Sequence, residues 1–241
     1  MDAAGSDELA APSSHRWRDL ATRRQSVRAA DHLGAAVTPP AAKLGPVELL
    51  RKYGGAYLLV SISMSAMSFA LCYLLVSRGL DVVLVDADPQ GSALEWAADA
   101  RVDGPMPFPV VPASRPLTAE RDRDLTIIDT PPGTAQVIQE AIDVADLVVV
   151  PTGASPLDVR RVWPTLEITA HRPTAVLLTS VDLRTRLADE VRALLEAEGV
   201  PVIGTPILRR EDVRRAYGAS PIRLHGYDDV LTELLEAMAH V

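Results

Sequence analysis

The chain has 241 residues, 48% hydrophobic and only 4% aromatic, enough for one sizeable core with an appendage. Its single cysteine, Cys72, excludes a disulfide framework or a thiolate metal cluster and reads as a small buried hydrophobe in a reducing compartment. The five histidines, at 15, 32, 171, 225 and 240, have no metal-ligand spacing, no Ser/His/Asp or Cys/His grouping suggests a nucleophile, and the net charge of -8 is unevenly spread: residues 1–52 carry eight Lys/Arg against six Asp/Glu, the remainder sixteen against twenty-six.

Residues 1–45 are rich in Ala, Ser, Arg and Pro and read as a basic N-terminal extension. The segment "AAVTPPAAKLGP" is a linker because paired prolines stop regular structure. Within the extension, "HRWRDLATRRQSVRAADHL" reads either as a short basic helix or as a solvated tail. No apolar stretch follows a basic start, so no cleavable signal peptide is expected. Residues 46–241 form the expected folded domain.

That domain opens on "AYLLVSISMSAMSFALCYLLVSRG" (56–79), uncharged until Arg78. About twenty such residues can span a bilayer, so a single-span membrane protein is one reading. The serines inside the run, and the strand that follows it, favour a core strand, "AYLLVSI", joined to a core helix, "SAMSFALCYLLVSRG".

From Leu80 onward, "DVVLVD" (81–86), "LTIID" (125–129), "LVVV" (147–150), "TAVLLTS" (174–180) and "PVIGTPI" (201–207) are short apolar runs without alternation, as in strands buried on both faces. Helical patterns separate or follow them: "AQVIQEAIDVA", "PLDVRRVWPTLEITA", "RLADEVRALLEAEG" and "YDDVLTELLEAMAH". Strand alternating with helix predicts an α/β fold, a doubly wound, mostly parallel sheet flanked by helices.

In such folds ligands bind beyond the carboxyl ends of the strands. Those ends read "DADPQG" (86–91), "DTPPG" (129–133) and "PTGASP" (151–156). An Asp at a strand end can hold Mg²⁺ or its waters, and Gly/Pro turns let backbone approach a ligand. The plainer reading is that Asp-Pro and Pro-Pro merely end strands.

Taken together, "LLVSRGLDVVLVDADPQGSALEW", "LTIIDTPPG", "ADLVVVPTGASPLDV" and "LLTSVDLRTRLADEV" resemble the ParA/MinD group of P-loop ATPases, specifically ParA-type partition proteins, over residues from about 56 to 241. The resemblance implies Asp88 as the residue of ATP hydrolysis and switching, Asp86 as the preceding acidic strand-end residue and Asp129 as the Walker B aspartate. It implies Mg-ATP as cofactor, with Ser65, Asp86 and Asp129 toward the metal and Pro206, Ile207 and Leu208 against the adenine. It further implies nucleotide-dependent homodimers, binding to DNA without sequence preference, a ParB-like or other adaptor protein, and a cytoplasmic, nucleoid-associated location. Arg209, Arg210, Arg214 and Arg215 of "LRREDVRRAYG" would then meet DNA phosphates. The acidic ending "DDVLTELLEAMAHV" is unlike the basic membrane helix of MinD-type relatives.

The sequence departs from the family at the phosphate loop. A glycine-rich KGGVGKT-like loop should join the first strand to its helix, with amides around the phosphates and a lysine on the β- and γ-phosphates. Here the stretch reads "SISMSAMS". Met64 falls at the lysine, Ser65 at the magnesium hydroxyl, Ser61 and Ser63 at glycines, and no lysine follows Lys52. The expected function is therefore a partition or positioning protein for plasmid or chromosome segregation, with an impaired nucleotide site. The alternative is an active ATPase using Ser61, Ser63, Ser65 and an arginine in trans.

Overall fold

The computed structural model divides into the units Met1–Lys43 and Leu44–Val241. It describes residues 57–62, 65–100, 104, 106–114, 116–117, 122–131, 135–211 and 224–238, all in the second unit. The possible basic helix of the extension lies outside these residues.

Among the described residues six strands form one sheet: β1 (Tyr57–Ile62), β2 (Val82–Asp86), β3 (Val110–Pro112), β4 (Leu125–Thr130), β5 (Leu147–Thr152) and β6 (Thr174–Leu178). Their order is β3-β2-β4-β1-β5-β6 and every pairing is parallel. Parallel neighbours need crossovers, and the helices supply them. They are α1 (Ser65–Ser77), α2 (Ser92–Ala100), α3 (Ala135–Val144), α4 (Pro156–Ile168), α5 (Leu187–Ala197) and α6 (Tyr227–Met238).

Both faces of the sheet are covered, which explains the unbroken apolar runs. Along β2 successive residues alternate between two cores: Val82 and Leu84 pack with α1, α2 and α6, while Val83 and Val85 face the α3, α4 and α5 side. The helix α1 is apolar on every side because it lies between the sheet and α6, and Met67, Phe69, Leu71, Cys72 and Leu75 are fully buried. Phe69 stacks on Trp96 of α2 with ring centroids 4.6 Å apart.

The apolar run of residues 56–79 is thus a strand paired on both sides, with β4 and β5, followed by a thirteen-residue helix. Among the described residues no helix is long and apolar enough to cross a membrane. The single-span reading of this run is corrected accordingly.

Two helices stop where the sequence places glycine. At Gly79 (φ 76°) the amide bonds Val76 O at 2.8 Å and the Leu80 amide bonds Leu75 O at 3.1 Å; Gly199 (φ 71°) and Val200 repeat the pattern after α5. This crossed pair of bonds satisfies the last carbonyls and needs a left-handed residue, which glycine adopts without a Cβ penalty.

The expected strand at 201–207 is not a strand. It touches the edge of β6 through a single bridge, Val176 to Val202, and a second bridge, Val181 to Leu208, lies just beyond both segments. The Ile203 and Ile207 amides do reach Val176 O and Leu178 O, but between them the chain bends at Gly204 and Thr205 and the Thr205 amide turns away to Glu233, so the ladder is interrupted. Conversely, α2 and β3 are elements the sequence reading did not assign. The helix has a regular signal, with Ala93, Trp96, Ala97 and Ala100 buried at helical spacing. The strand is three residues long and offers no periodicity.

Candidate functional site

The carboxyl ends of β1, β4 and β2 lie side by side, and their register draws three of the sequence-predicted residues into one row. Ser61 of β1 is the Cα partner of Asp129 on β4, and Asp129 is the partner of Asp86 on β2. The Ala87 amide donates to Asp129 O at 2.8 Å, fixing the two strand ends against each other. Nothing in the spacing of residues 61, 86 and 129 predicts this row; the strand order does.

Asp86 is 3% exposed, and its carboxylate accepts three backbone amides. Oδ1 takes Asp88 N–H at 3.0 Å, and Oδ2 takes Ala93 N–H at 3.0 Å and Leu94 N–H at 2.9 Å. The last two belong to the first turn of α2, so Asp86 satisfies orphan donors of a helix that begins six residues after it. Burial pushes its pKa up; the amides of Leu94, Asp88 and Ala93 pull it down, the Asp88 charge adds to the rise, and the balance is upward.

Asp129 is 2% exposed, and Ser68 Oγ, fully buried on α1, donates to its Oδ1 at 3.3 Å. Cys72, one turn further along α1, has its thiol pushed well up, first by burial and then by the Asp129 charge, so it is an inert core residue. Ser68 carries no distinguishing signal in the sequence, being one of three serines in this largely apolar helix.

Asp88 is half-exposed at the mouth of this row, where its Oδ1 accepts Gln90 N–H at 2.8 Å and its carbonyl accepts Gly91 N–H at 2.9 Å. Gly91 (φ 70°) turns the chain into α2. Ser65 is the first residue of α1, whereas Ser63 and Met64 lie outside the described residues. Between the end of β1 at Ile62 and the start of α1 at Ser65 there are two residues. Among the described residues no group of three His, Cys, Asp or Glu is arranged to hold a metal ion.

The loop after β5 enters α4 through a capping box: Asp158 N–H donates to Ser155 Oγ at 3.2 Å, and the Asp158 carboxylate receives Ser155 Oγ–H at 2.6 Å and Ser155 N–H at 3.4 Å. A β-carbon at Gly153 would collide with that carboxylate, so any larger residue there would have to displace the capping side chain.

Residues Pro206, Ile207 and Leu208 run beside β6. Ile207 N–H donates to Leu178 O at 2.8 Å, its side chain is buried in the α1/α6 core, and Pro206 and Leu208 are half-buried. The turn before them is clamped from two helices. Glu233 of α6 accepts Gly204 N–H at 2.6 Å, Thr205 N–H at 2.9 Å and Thr205 Oγ–H at 2.7 Å, and Arg192 of α5 donates to Ile203 O and Gly204 O, both at 2.9 Å. No local pattern signals this clamp, since its partners are far apart in the chain.

Arg209 and Arg210 are exposed, and the Arg209 amide bonds Val181 O at 2.9 Å. Arg214 and Arg215 lie outside the described residues. Across the Val181–Leu208 bridge, Asp182 and Arg184 form a bidentate pair at 2.6 and 2.9 Å. The Arg184 hydrogen bond holds the Asp182 carboxyl well below the usual carboxylate range.

The model of the CobQ/CobB/MinD/ParA nucleotide binding domain matches residues 65–220 and therefore begins at the first residue of α1. "Maintenance of carboxysome distribution protein A" of Halothiobacillus neapolitanus is 31% identical over 156 residues, 59% of this chain and 72% of that protein. Its namesake in Gloeobacter kilaueensis is 35% identical over 133 residues, 50% of this chain and 59% of its own length. A plasmid partition protein of Borrelia burgdorferi solved with AMPPNP bound superposes with a TM-score of 0.59 at 16% identity, covering 75% of this chain and 98% of that one. That likeness carries the fold alone.

Proposed function

Because the chain belongs to the CobQ/CobB/MinD/ParA nucleotide-binding domain family, we propose that it is a ParA-like positioning protein whose nucleotide site is impaired. The observation that carries the reading is the two-residue interval between β1 and α1. A phosphate loop of about eight residues with its lysine has no room there, and Tyr53–Val241 contains no lysine.

The carboxylates point the same way. Asp86 spends its oxygens on three amides and Asp129 already receives Ser68, so the strand ends are hydrogen-bonded by the protein itself. Phosphate binding rests on positioned donors and charge, each donor being worth about 3 kcal/mol in comparable anion sites. The described residues therefore do not fit Mg-ATP in the family's usual manner, and no hydrolytic step is assigned to them.

In this reading the protein works through binding. Arg209 and Arg210, with Arg214 and Arg215, contact DNA without sequence preference, and an adaptor protein links the complex to a cargo in the cytoplasm over the nucleoid. A plasmid, a chromosome or a protein body are the cargo classes; the carboxysome-distribution relatives favour the last.

Calorimetric titration with Mg-ATP and duplex DNA tests this. The expected outcome is no micromolar nucleotide binding, and a DNA affinity that falls with salt and is weakened by Arg209→Ala and Arg210→Ala, each lowering the salt slope by about 1. Micromolar Mg-ATP binding with hydrolysis abolished by Asp88→Ala would replace this reading with the active ATPase using Ser61, Ser63 and Ser65.

A further inference from the structure

Both phenylalanines of the chain lie in one row of rings. Trp96 of α2 stacks on Phe69 of α1 at 4.6 Å, Phe69 meets Phe108 at 5.8 Å, and Tyr73 of α1 stands edge-on to Phe108 at 5.1 Å and 81°. The row ends in sulfur, where Tyr73 Oη–H donates to Met106 Sδ at 3.4 Å. Its inner members, Trp96, Phe69 and Phe108, are buried, whereas Tyr73 and Met106 at the outer end are half-buried.

That exposure sets Met106 apart. Met67 and Met238 are buried at 0% and 3%, so Met106, in the passage from α2 to β3, is the methionine among the described residues whose side chain meets solvent. A thioether in that position is open to two-electron oxidants. The Tyr73 hydroxyl occupies one sulfur lone pair and leaves the other for attack.

At its inner end the row meets the helices that partner the buried carboxylates. Phe69 follows Ser68, which donates to Asp129 Oδ1. Trp96 lies on α2, whose Ala93 and Leu94 amides bond Asp86 Oδ2 at 3.0 and 2.9 Å. Rings packed in contact pass a displacement on, because the interior has no slack to absorb it. Met106 is thus joined by successive contacts to the first turn of α2.

We infer that Met106 is a redox-sensitive modification site: a peroxide converts its thioether to the sulfoxide, and the change loosens the α2 amides that hold Asp86. The sulfur lone pair forms the S–O bond as the O–O bond breaks. Sulfur gives up two electrons to the peroxide, and the departing hydroxide takes the proton of the transferred oxygen and leaves as water. The sulfoxide oxygen is a stronger acceptor than the thioether, so it draws the Tyr73 hydroxyl with it and puts a polar group at the edge of the ring row. Methionine sulfoxide reductases reverse the step. This inference goes beyond the positioning reading above and needs neither nucleotide nor DNA.

The test exposes the full chain to dilute hydrogen peroxide and follows oxygen uptake by peptide mass spectrometry and backbone amide exchange residue by residue. Met106 should gain its oxygen at least about tenfold faster than Met67 and Met238, which react only from opened states. In the oxidised protein Ala93 and Leu94 should exchange at least about threefold faster, and reductase treatment should restore the original rates. Met106→Leu, which keeps the side-chain volume, should show no such response to peroxide. Oxidation of Met67 or Met238 as fast as Met106 would overturn the inference. So would unchanged exchange at Ala93 and Leu94 in the oxidised protein, or the same acceleration in peroxide-treated Met106→Leu.

Discussion

Replacing Asp86 by alanine or asparagine separates its hydrogen bonds from its charge. Alanine leaves three amides, of Asp88, Ala93 and Leu94, without an acceptor. Leaving a buried donor unpaired costs about 1–3 kcal/mol, but Ala93 alone of these residues is fully buried, and alanine also removes the burial of a carboxylate. The net expectation for Asp86→Ala is about 2–4 kcal/mol of destabilisation, and about half that for Asp86→Asn, which keeps one carbonyl oxygen. The pH dependence is more discriminating. The folded pKa of Asp86 is raised, so its contribution is fully present below the unfolded value, about 3.9, and is lost as pH rises through the folded value. Asparagine has no such slope. Urea unfolding of both proteins between acid and neutral pH should therefore show the wild-type advantage shrinking as pH rises. An advantage that widens toward neutral pH would refute the account of burial outweighing the three amides.

Three further substitutions probe the elements around the site. Pro164 lies inside α4 and is exposed, so Pro164→Ala should restore an intrahelical bond and raise stability by about 1–3 kcal/mol, read as a higher melting temperature. Gly153→Ala should destabilise, because the added carbon meets the Asp158 carboxylate, and the loss should shrink when Asp158→Ala is added in a double-mutant cycle. Glu233→Ala should cost about 2 kcal/mol by freeing the Gly204 and Thr205 donors, with faster amide exchange at both residues as the specific sign.

The fold was largely legible because a sheet covered on both faces writes itself as uninterrupted β-branched runs. Val82–Asp86 and Leu125–Thr130 are buried along their whole length, and such runs stand out against any background. The segment at 201–207 has a similar composition, but its Thr205 amide is taken by Glu233 of a distant helix, and backbone donors, not hydrophobicity, decide whether a ladder continues. At the candidate site the identities of Asp86, Asp88 and Asp129 were readable at strand ends, whereas their bonds were not. Asp86 is spoken for by a helix the sequence reading left unassigned, and Asp129 by a serine on the far side of a crossover. Hydrogen-bond partners created by strand order, like the Glu233 and Arg192 clamp, have no one-dimensional signature.

The position of β1 has a consequence for how the chain is made. Its hydrogen-bonding neighbours are Leu125–Thr130 and Leu147–Thr152, so the first strand of the sheet waits for partners that lie far downstream. At ordinary synthesis rates the first neighbour follows Ile62 by about 3–14 s. Throughout that interval Tyr57–Ile62 and the all-apolar helix after it have no sheet to enter. The nascent chain, rather than the finished one, is where this stretch invites chaperones or aggregation.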